Sequence, residues 1–318
     1  MKTKLLKILC IIVVVLVLVA FIFFAFRNKY QKEDLYNKIK DKQIIKHPYK
    51  SSGSPRLNDL RSPEDVVHPQ FSGETKSLTK IPPVIPMKLF QTWHTKDLPP
   101  KMQETVDKIQ ANNPELEYFL YDEKDCRDFI KAHFPKDVGD AYNKLIPAAY
   151  KADLWRYCVM YIQGGIYLDI KYQCVDGFKF VDIMDREHFV LDTDPGHWKP
   201  DTHGIYNALI IAKPGNPLLL KCIQHIVRNT QTNYYGFNWL YPTGPGLLGE
   251  LYLGNIYNNM SMIDNFDLVH ANINKIAFVI YKNQTILQEY PEYRKEQKAN
   301  KKHKPYGDLW KEHAIYSF

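Results

Sequence analysis

Hydrophobic and polar positions divide the chain into three stretches. Ile8 to Phe26 is an unbroken apolar run, ILCIIVVVLVLVAFIFFAF. A helix of that length, at about 1.5 Å per residue, nearly spans a hydrocarbon core of about 30 Å. Its apolar character on every side argues against the half-buried helix of a globular domain. Its exit, Phe-Ala-Phe-Arg, lacks the small residues of a cleavage site, so the run reads as a transmembrane signal anchor over 8–26 with a cytosolic tail over 1–7. From 27 to 84 the sequence is polar and lysine-rich, without sustained periodicity and with Ser51-Ser-Gly-Ser-Pro55 at its centre. That composition suits a stem or linker.

Beyond residue 84 the pattern becomes regular. Strand-like segments are read at Lys88–Trp93, Leu116–Tyr121, Ile166–Ile170, Phe189–Leu191 and Ala208–Ala212. Between them, Pro99-Pro100 opens a helix running to Asn112, and Asp122 caps another reaching His133, with Glu123 and Asp125 in its first turn. Ala148–Gln163 is a strong helix closed by Gly164-Gly165, and Pro217–Asn229 is a later one. The alternation predicts an α/β fold, a single catalytic domain over 85–318 with a mostly parallel central sheet.

Composition narrows the function classes. The chain has 318 residues and a formal net charge of +7. A basic balance suits nucleic acid, anionic lipid or a phosphorylated substrate, but no basic helix or nucleic-acid motif is present, so nucleic acid is set aside. The five cysteines show no paired spacing of a zinc site. Cys126, Cys158, Cys174 and Cys222 permit disulfides without demanding them. Lysines flank the apolar run on both sides (Lys2, Lys4 and Lys7 before it, Lys29 after), so charge alone does not orient it. A short tail before a long domain favours a single-pass type II arrangement with the domain lumenal, of Golgi, ER or host-membrane type. Two sequons, Asn259-Met-Ser261 and Asn283-Gln-Thr285, are compatible with it.

The chemistry concentrates between Ala148 and Lys171. Asp153 and Arg156 stand three apart on a helix and share a face. Two glycines turn the chain into a strand, where Tyr167 and Asp169 alternate onto one side near the end at which open α/β sheets bind ligands. This Ala-Asp-x-x-Arg-Tyr helix followed by Gly-Gly-x-Tyr-x-Asp resembles glycosyltransferase family 32, the group with a DXD-motif sugar-binding region related to initiation-specific α-1,6-mannosyltransferases. Further matches follow in order: Ile85-Pro-Met-Lys-Leu-Phe-Gln-Thr-Trp93, Asn113-Pro-Glu-Leu-Glu-Tyr118 with Tyr121-Asp122, and Tyr241-Pro-Thr-Gly-Pro-Gly246.

The resemblance implies a GT-A fold and a retaining hexosyltransferase that moves a sugar from GDP-mannose or a UDP-sugar to a glycan or glycoprotein. It implies donor-binding roles for Trp93, Asp153, Arg156, Gly165, Tyr167, Asp169, Thr243 and Gly244, with Trp93 against the base and Asp153 and Arg156 on the sugar hydroxyls. It places Asp169, Lys171 and Asn207 at the catalytic centre. A carboxylate and a guanidinium can grip vicinal hydroxyls as acceptor and donor.

One position departs from the family: Lys171 replaces the second carboxylate, giving Asp169-Ile-Lys171. A protonated lysine ligates no divalent cation. Three readings stay open. Mn2+ or Mg2+ binds through Asp169 with another group, such as His313 or Asp308; the Lys171 ammonium itself stabilises the diphosphate; or the chain is an inactive, membrane-tethered nucleotide-sugar or glycan-binding protein. Asp192 and Asp194, in Leu-Asp-Thr-Asp-Pro, look like a displaced DXD but suit a turn equally well. Trp310 and His313 are read as part of a C-terminal segment closing over the donor, or as a docked tail.

Overall fold

The computed structural model describes residues 84–193, 197–199, 203–253, 266–300 and 304–317. The expected tail, anchor and most of the stem, together with Asp194 and the sequon at 259–261, lie outside these residues. Among the described residues, no helix is long and apolar enough to cross a membrane.

The chain enters through β1 (Lys88–Thr92), α1 (Pro100–Asn112), β2 (Glu117–Tyr121), α2 (Glu123–His133), α3 (Lys136–Lys144), α4 (Ala148–Gln163) and β3 (Gly165–Leu168). Pro100 opens α1, and Asp122 closes a reciprocal capping box with Asp125 at the start of α2. Each of these two helices therefore begins at the residue type suited to an orphaned N-terminus. Strand β1 pairs in parallel with both β2 and β3. This front half matches the expected elements, with α3 added.

The back half corrects the expected parallel sheet. After β4 (Tyr172–Cys174) come β5 (His188–Asp192), β6 (Gly204–Ala212), α5 (Pro217–Gln231), α6 (Pro245–Leu253), β7 (Leu268–Ile273), β8 (Ile276–Tyr281), β9 (Gln284–Glu289), α7 (Tyr293–Ala299) and α8 (Tyr306–Lys311). The order across the nine-stranded sheet is β2-β1-β3-β6-β5-β7-β8-β9-β4. Strand β6 runs antiparallel to both of its neighbours, and β7, β8 and β9 form consecutive antiparallel hairpins. The sheet is mixed because tight two-residue turns link these late strands, and such turns can only reverse the chain. Asn274-Lys275 and Lys282-Asn283 occupy the turns, all four with positive φ. That backbone suits the type I′ turn of a hairpin. The sequon asparagine Asn283 is exposed in the second of these turns.

The topology also forces curvature. Leu168 and Tyr172 are four peptide units apart and reach about 14 Å at full extension. Strands β3 and β4 are nevertheless separated by five intervening strands in the sheet order. At about 4.8 Å per neighbour a flat sheet would hold them almost 30 Å apart, so the sheet curls until its far edge returns beside β3. The main buried cluster lies along this sheet, from Leu89 and Ile166 through Leu209 and Ile211 to Val279 and Leu287.

Candidate active site

Helix α4 is buried along most of its length, from Tyr150 to Tyr161. Polar residues on such a helix must find partners within the protein, because an unpaired buried charge costs several kcal/mol. Asp153 Oδ1 accepts from Asn207 Nδ2 at 2.9 Å and faces Arg156 Nη2 at 3.1 Å, while Oδ2 accepts from Thr243 Oγ1 at 2.7 Å. Burial raises the Asp153 pKa above the ordinary carboxylate value, against the opposing pull of Arg156 and the two hydrogen bonds. Asn207 also donates to Tyr157 Oη at 2.9 Å.

Arg156 joins helix to sheet. Its Nη1 donates to the Asn207 carbonyl at 2.7 Å and lies 3.3 Å from Asp169 Oδ1. Its guanidinium sits 4.5 Å from the Tyr167 ring centroid, a cation–π contact. Gly164 and Gly165, at φ 59 and 98, reverse the chain from α4 into β3. Tyr167 and Asp169 do share a face: the phenol donates to Asp169 Oδ1 at 2.8 Å.

The expected strand through Ile170 ends earlier, at Leu168. Ile170 and Lys171 form a turn in which the Tyr172 amide donates to the Asp169 carbonyl at 3.2 Å. Strand alternation is therefore not what brings Lys171 to the site. The turn folds its ammonium back to 3.0 Å from Asp169 Oδ2. Burial alone would raise the Asp169 pKa, but Lys171, Arg156 and the Tyr167 hydroxyl outweigh it and hold the carboxyl below its usual value.

A cleft of about 410 Å3 opens over this cluster. Arg156, Tyr167 and Asp169 line it, with Trp93 and His94 on one wall. The Trp93 Nε1 is buried without a hydrogen-bond partner in the protein. Helix α7 and the start of α8 add Tyr293, Arg294, Gln297 and Tyr306 to the lining. No periodicity or motif marked these late residues in the sequence. The C-terminal segment does border the site, but not through the residues expected. Trp310 donates to the Tyr235 carbonyl at 2.7 Å, and the exposed His313 ring lies 4.6 Å from Tyr235. Neither lines the cleft.

The remaining expected site residues sit behind the cleft wall. Asp153, Asn207 and Thr243 brace Arg156 from below, and Gly244 leaves room for them: a Cβ there would stand 3.3 Å from Asp153 Oδ2. Gly165 packs on the β1 backbone, where a Cβ would stand 2.6 Å from the Lys88 carbonyl. Asp192 is the buried last residue of β5, and its Oδ1 lies 2.9 Å from His270 Nδ1. The cysteines Cys126, Cys158, Cys174 and Cys222 are thiols.

The donor set does not suit a divalent metal. Asp169 Oδ1 accepts from Tyr167 beside Arg156, and Oδ2 faces Lys171. A cation would have to displace resident positive charge from both oxygens. Among the described residues, no group of three His, Cys, Asp or Glu side chains is placed to hold one.

Residues 99–190 match the family described as a glycosyltransferase sugar-binding region containing a DXD motif. Over these residues the chain is similar to a glycosyltransferase sugar-binding region. Over 196 residues it is 26% identical to inositol phosphoceramide mannosyltransferase 3 of Schizosaccharomyces pombe, covering 61% of this chain and 50% of that one. It is 26% identical over 178 residues to mannosyl phosphorylinositol ceramide synthase SUR1 of Saccharomyces cerevisiae, covering 55% of this chain and 42% of the relative. It is 24% identical over 224 residues to an initiation-specific α-1,6-mannosyltransferase of Candida albicans, covering 57% of this chain and 56% of that one. The chain thus spans about half the length of these curated relatives.

Proposed function

We propose that this chain is a hexosyltransferase with a GT-A-type domain, moving a sugar from a nucleotide donor to a glycan or glycoprotein hydroxyl with retention of configuration. The names of its relatives favour mannose, hence GDP-mannose, with UDP-sugars as the other donors. The observation that carries the reading is the convergence of Arg156, Tyr167 and Asp169 on the floor of one cleft of about 410 Å3. That volume is in the range of small-ligand sites. The guanidinium can donate to sugar hydroxyls while a carboxylate oxygen accepts from them. The Trp93 indole offers an apolar face to the donor base, and its buried Nε1 a hydrogen bond.

Transfer breaks the bond between the anomeric carbon and the phosphate oxygen and forms one to the acceptor oxygen. Negative charge develops on the departing diphosphate, so fixed positive charge beside it lowers the barrier. Arg156 provides such charge in a partly dry setting. Asp169 in the cleft and Asp153 behind its wall are both committed to resident donors. That supports front-face attack, in which the departing diphosphate takes the acceptor proton, over covalent attack by either carboxylate. In the same reading the apolar run at 8–26 holds a type II protein with its catalytic domain in the lumen.

Lys171 in place of the second carboxylate favours one alternative, a sugar-nucleotide binder without turnover. Incubating the full chain with GDP-mannose and a panel of UDP-hexoses, then quantifying released GDP and UDP, separates the two. Release from a donor is expected. Binding without release across the panel supports the alternative, and absence of both binding and release defeats the donor-site reading.

A further inference from the structure

The donor set around Asp169 disagrees with a divalent metal, and the same geometry shows what stands in its place. We propose that the Lys171 ammonium is a built-in counter-cation for the donor's diphosphate, so that this chain binds nucleoside diphosphates without a divalent metal. The inference rests on the donor-site reading above and adds how that site meets the pyrophosphate charge.

The ammonium is held from several sides. It lies 3.0 Å from Asp169 Oδ2, 5.4 Å from the Tyr172 ring centroid and 5.3 Å from the Tyr206 ring centroid. The Tyr172 and Tyr206 hydroxyls are 2.7 Å apart, which fixes the two rings relative to each other. Behind them, the Tyr206 ring stacks on His270 with centroids 3.7 Å apart and planes 4° from parallel. His270 in turn is anchored to Asp192 at 2.9 Å. The Lys171 carbonyl accepts from the Tyr290 amide at 3.0 Å, so its backbone is fixed to the end of β9. A flexible side chain is thereby held in one place before any ligand arrives, which is what makes a point charge effective against a developing anion.

The side chain is enclosed but not sealed: 14% of its surface is exposed, beside an Asp169 that keeps 24% and lines the cleft. Burial opposes the charge, yet Tyr206, Asp169 and Tyr293 raise the Lys171 pKa above that of an ordinary lysine. Arg156 lies against the other oxygen of Asp169 and also faces Asp153, so the two cations are matched to the two carboxylates of the cluster. A carboxylate at position 171 would upset that balance and make a bound divalent ion necessary for the same anion.

Isothermal titration of GDP and of UDP into the full chain, in EDTA and in Mn2+, tests this. Lys171→Arg, Lys171→Met and Lys171→Asp are compared, with thermal melting as a check on folding. The proposal expects affinity of the unmodified chain for its nucleotide to be the same in EDTA and Mn2+. Lys171→Arg should keep metal-free binding within a few-fold, and Lys171→Met should lose about tenfold or more. Lys171→Asp should bind only when Mn2+ is present. Loss of binding by the unmodified chain in EDTA with recovery in Mn2+ overturns the counter-cation while leaving the donor site standing. Metal-free binding unchanged in a folded Lys171→Met also overturns it. Failure of both nucleotides to bind in either condition removes the donor-site reading along with it.

Discussion

At the scale of single residues, the site is a set of committed hydrogen bonds. Tyr167 illustrates how much of this the sequence carries. Its two-residue offset from Asp169 told which face it shares, and the 2.8 Å bond between them follows. Its second role, supporting the Arg156 guanidinium at 4.5 Å, depends on how α4 lies across β3, which no spacing in the chain encodes. Tyr167→Phe keeps the ring and removes the hydroxyl. We expect a stability loss of about 1 kcal/mol in urea denaturation, with donor turnover reduced about tenfold.

Asp153 and Arg156 were legible as a pair from their spacing. The partners that complete Asp153 were not, because Asn207 and Thr243 lie 54 and 90 positions away.

His188 makes a separate residue-scale prediction. It is buried on β5, and its Nε2 has no hydrogen-bond partner. Burial, helped by the nearby Arg186, lowers its pKa to about 4. The unfolded chain therefore takes up a proton near pH 6.5 that the folded chain refuses until about pH 4. Stability is fully present above the unfolded pKa and is lost as pH falls through this window. The loss is on the order of 3 kcal/mol. Urea denaturation of the natural chain and of His188→Leu at pH 7 and pH 4 should show the variant gaining relative stability by about that amount.

At the scale of elements, the legible parts carried local signals strong enough to survive tertiary context. Pro100 and the Asp122 box set the starts of α1 and α2, and the two glycines set the end of α4. The β7–β8–β9 hairpins were unread because Asn-Lys and Lys-Asn occupy their turns where Asn-Gly or Asp-Gly would give a clear signal. Strand β6 was read in part, but its direction depends on which strands it enters between, and a sequence period is blind to that.

Gly165 tests the element that positions the site. At φ 98, with a Cβ that would meet the Lys88 carbonyl at 2.6 Å, it has no room for alanine. Gly165→Ala should cost about 3 kcal/mol or more in denaturation and should lower activity by displacing Tyr167 and Asp169. Gly139→Ala is the control, since open space surrounds that position and it lies inside α3. It should be neutral or stabilising by about 1 kcal/mol.

At the scale of the whole molecule, the curled sheet brings distant parts of the chain to one cleft. Trp93 stands at the end of the first strand, Arg156 on the buried helix, Asp169 just past β3, and Tyr293 and Tyr306 near the C-terminus. The sequence showed the first three as separate motifs in the right order. The lining from α7 and α8 was invisible because these helices are short and polar and reach the site through contacts remote in sequence: Glu296 accepts from the Lys101 and Met102 amides of α1, and Tyr306 packs near Tyr150 of α4. The account turns on Asp169, where the phenol, the guanidinium and the ammonium meet. Asp169→Asn preserves shape and removes the charge that organises them, so transfer from the preferred nucleotide sugar by this variant, with melting temperature as its control, is the direct measurement. The expected result is a folded protein whose turnover falls by about a hundredfold or more. A folded Asp169→Asn variant that transfers sugar at the natural rate would contradict the account.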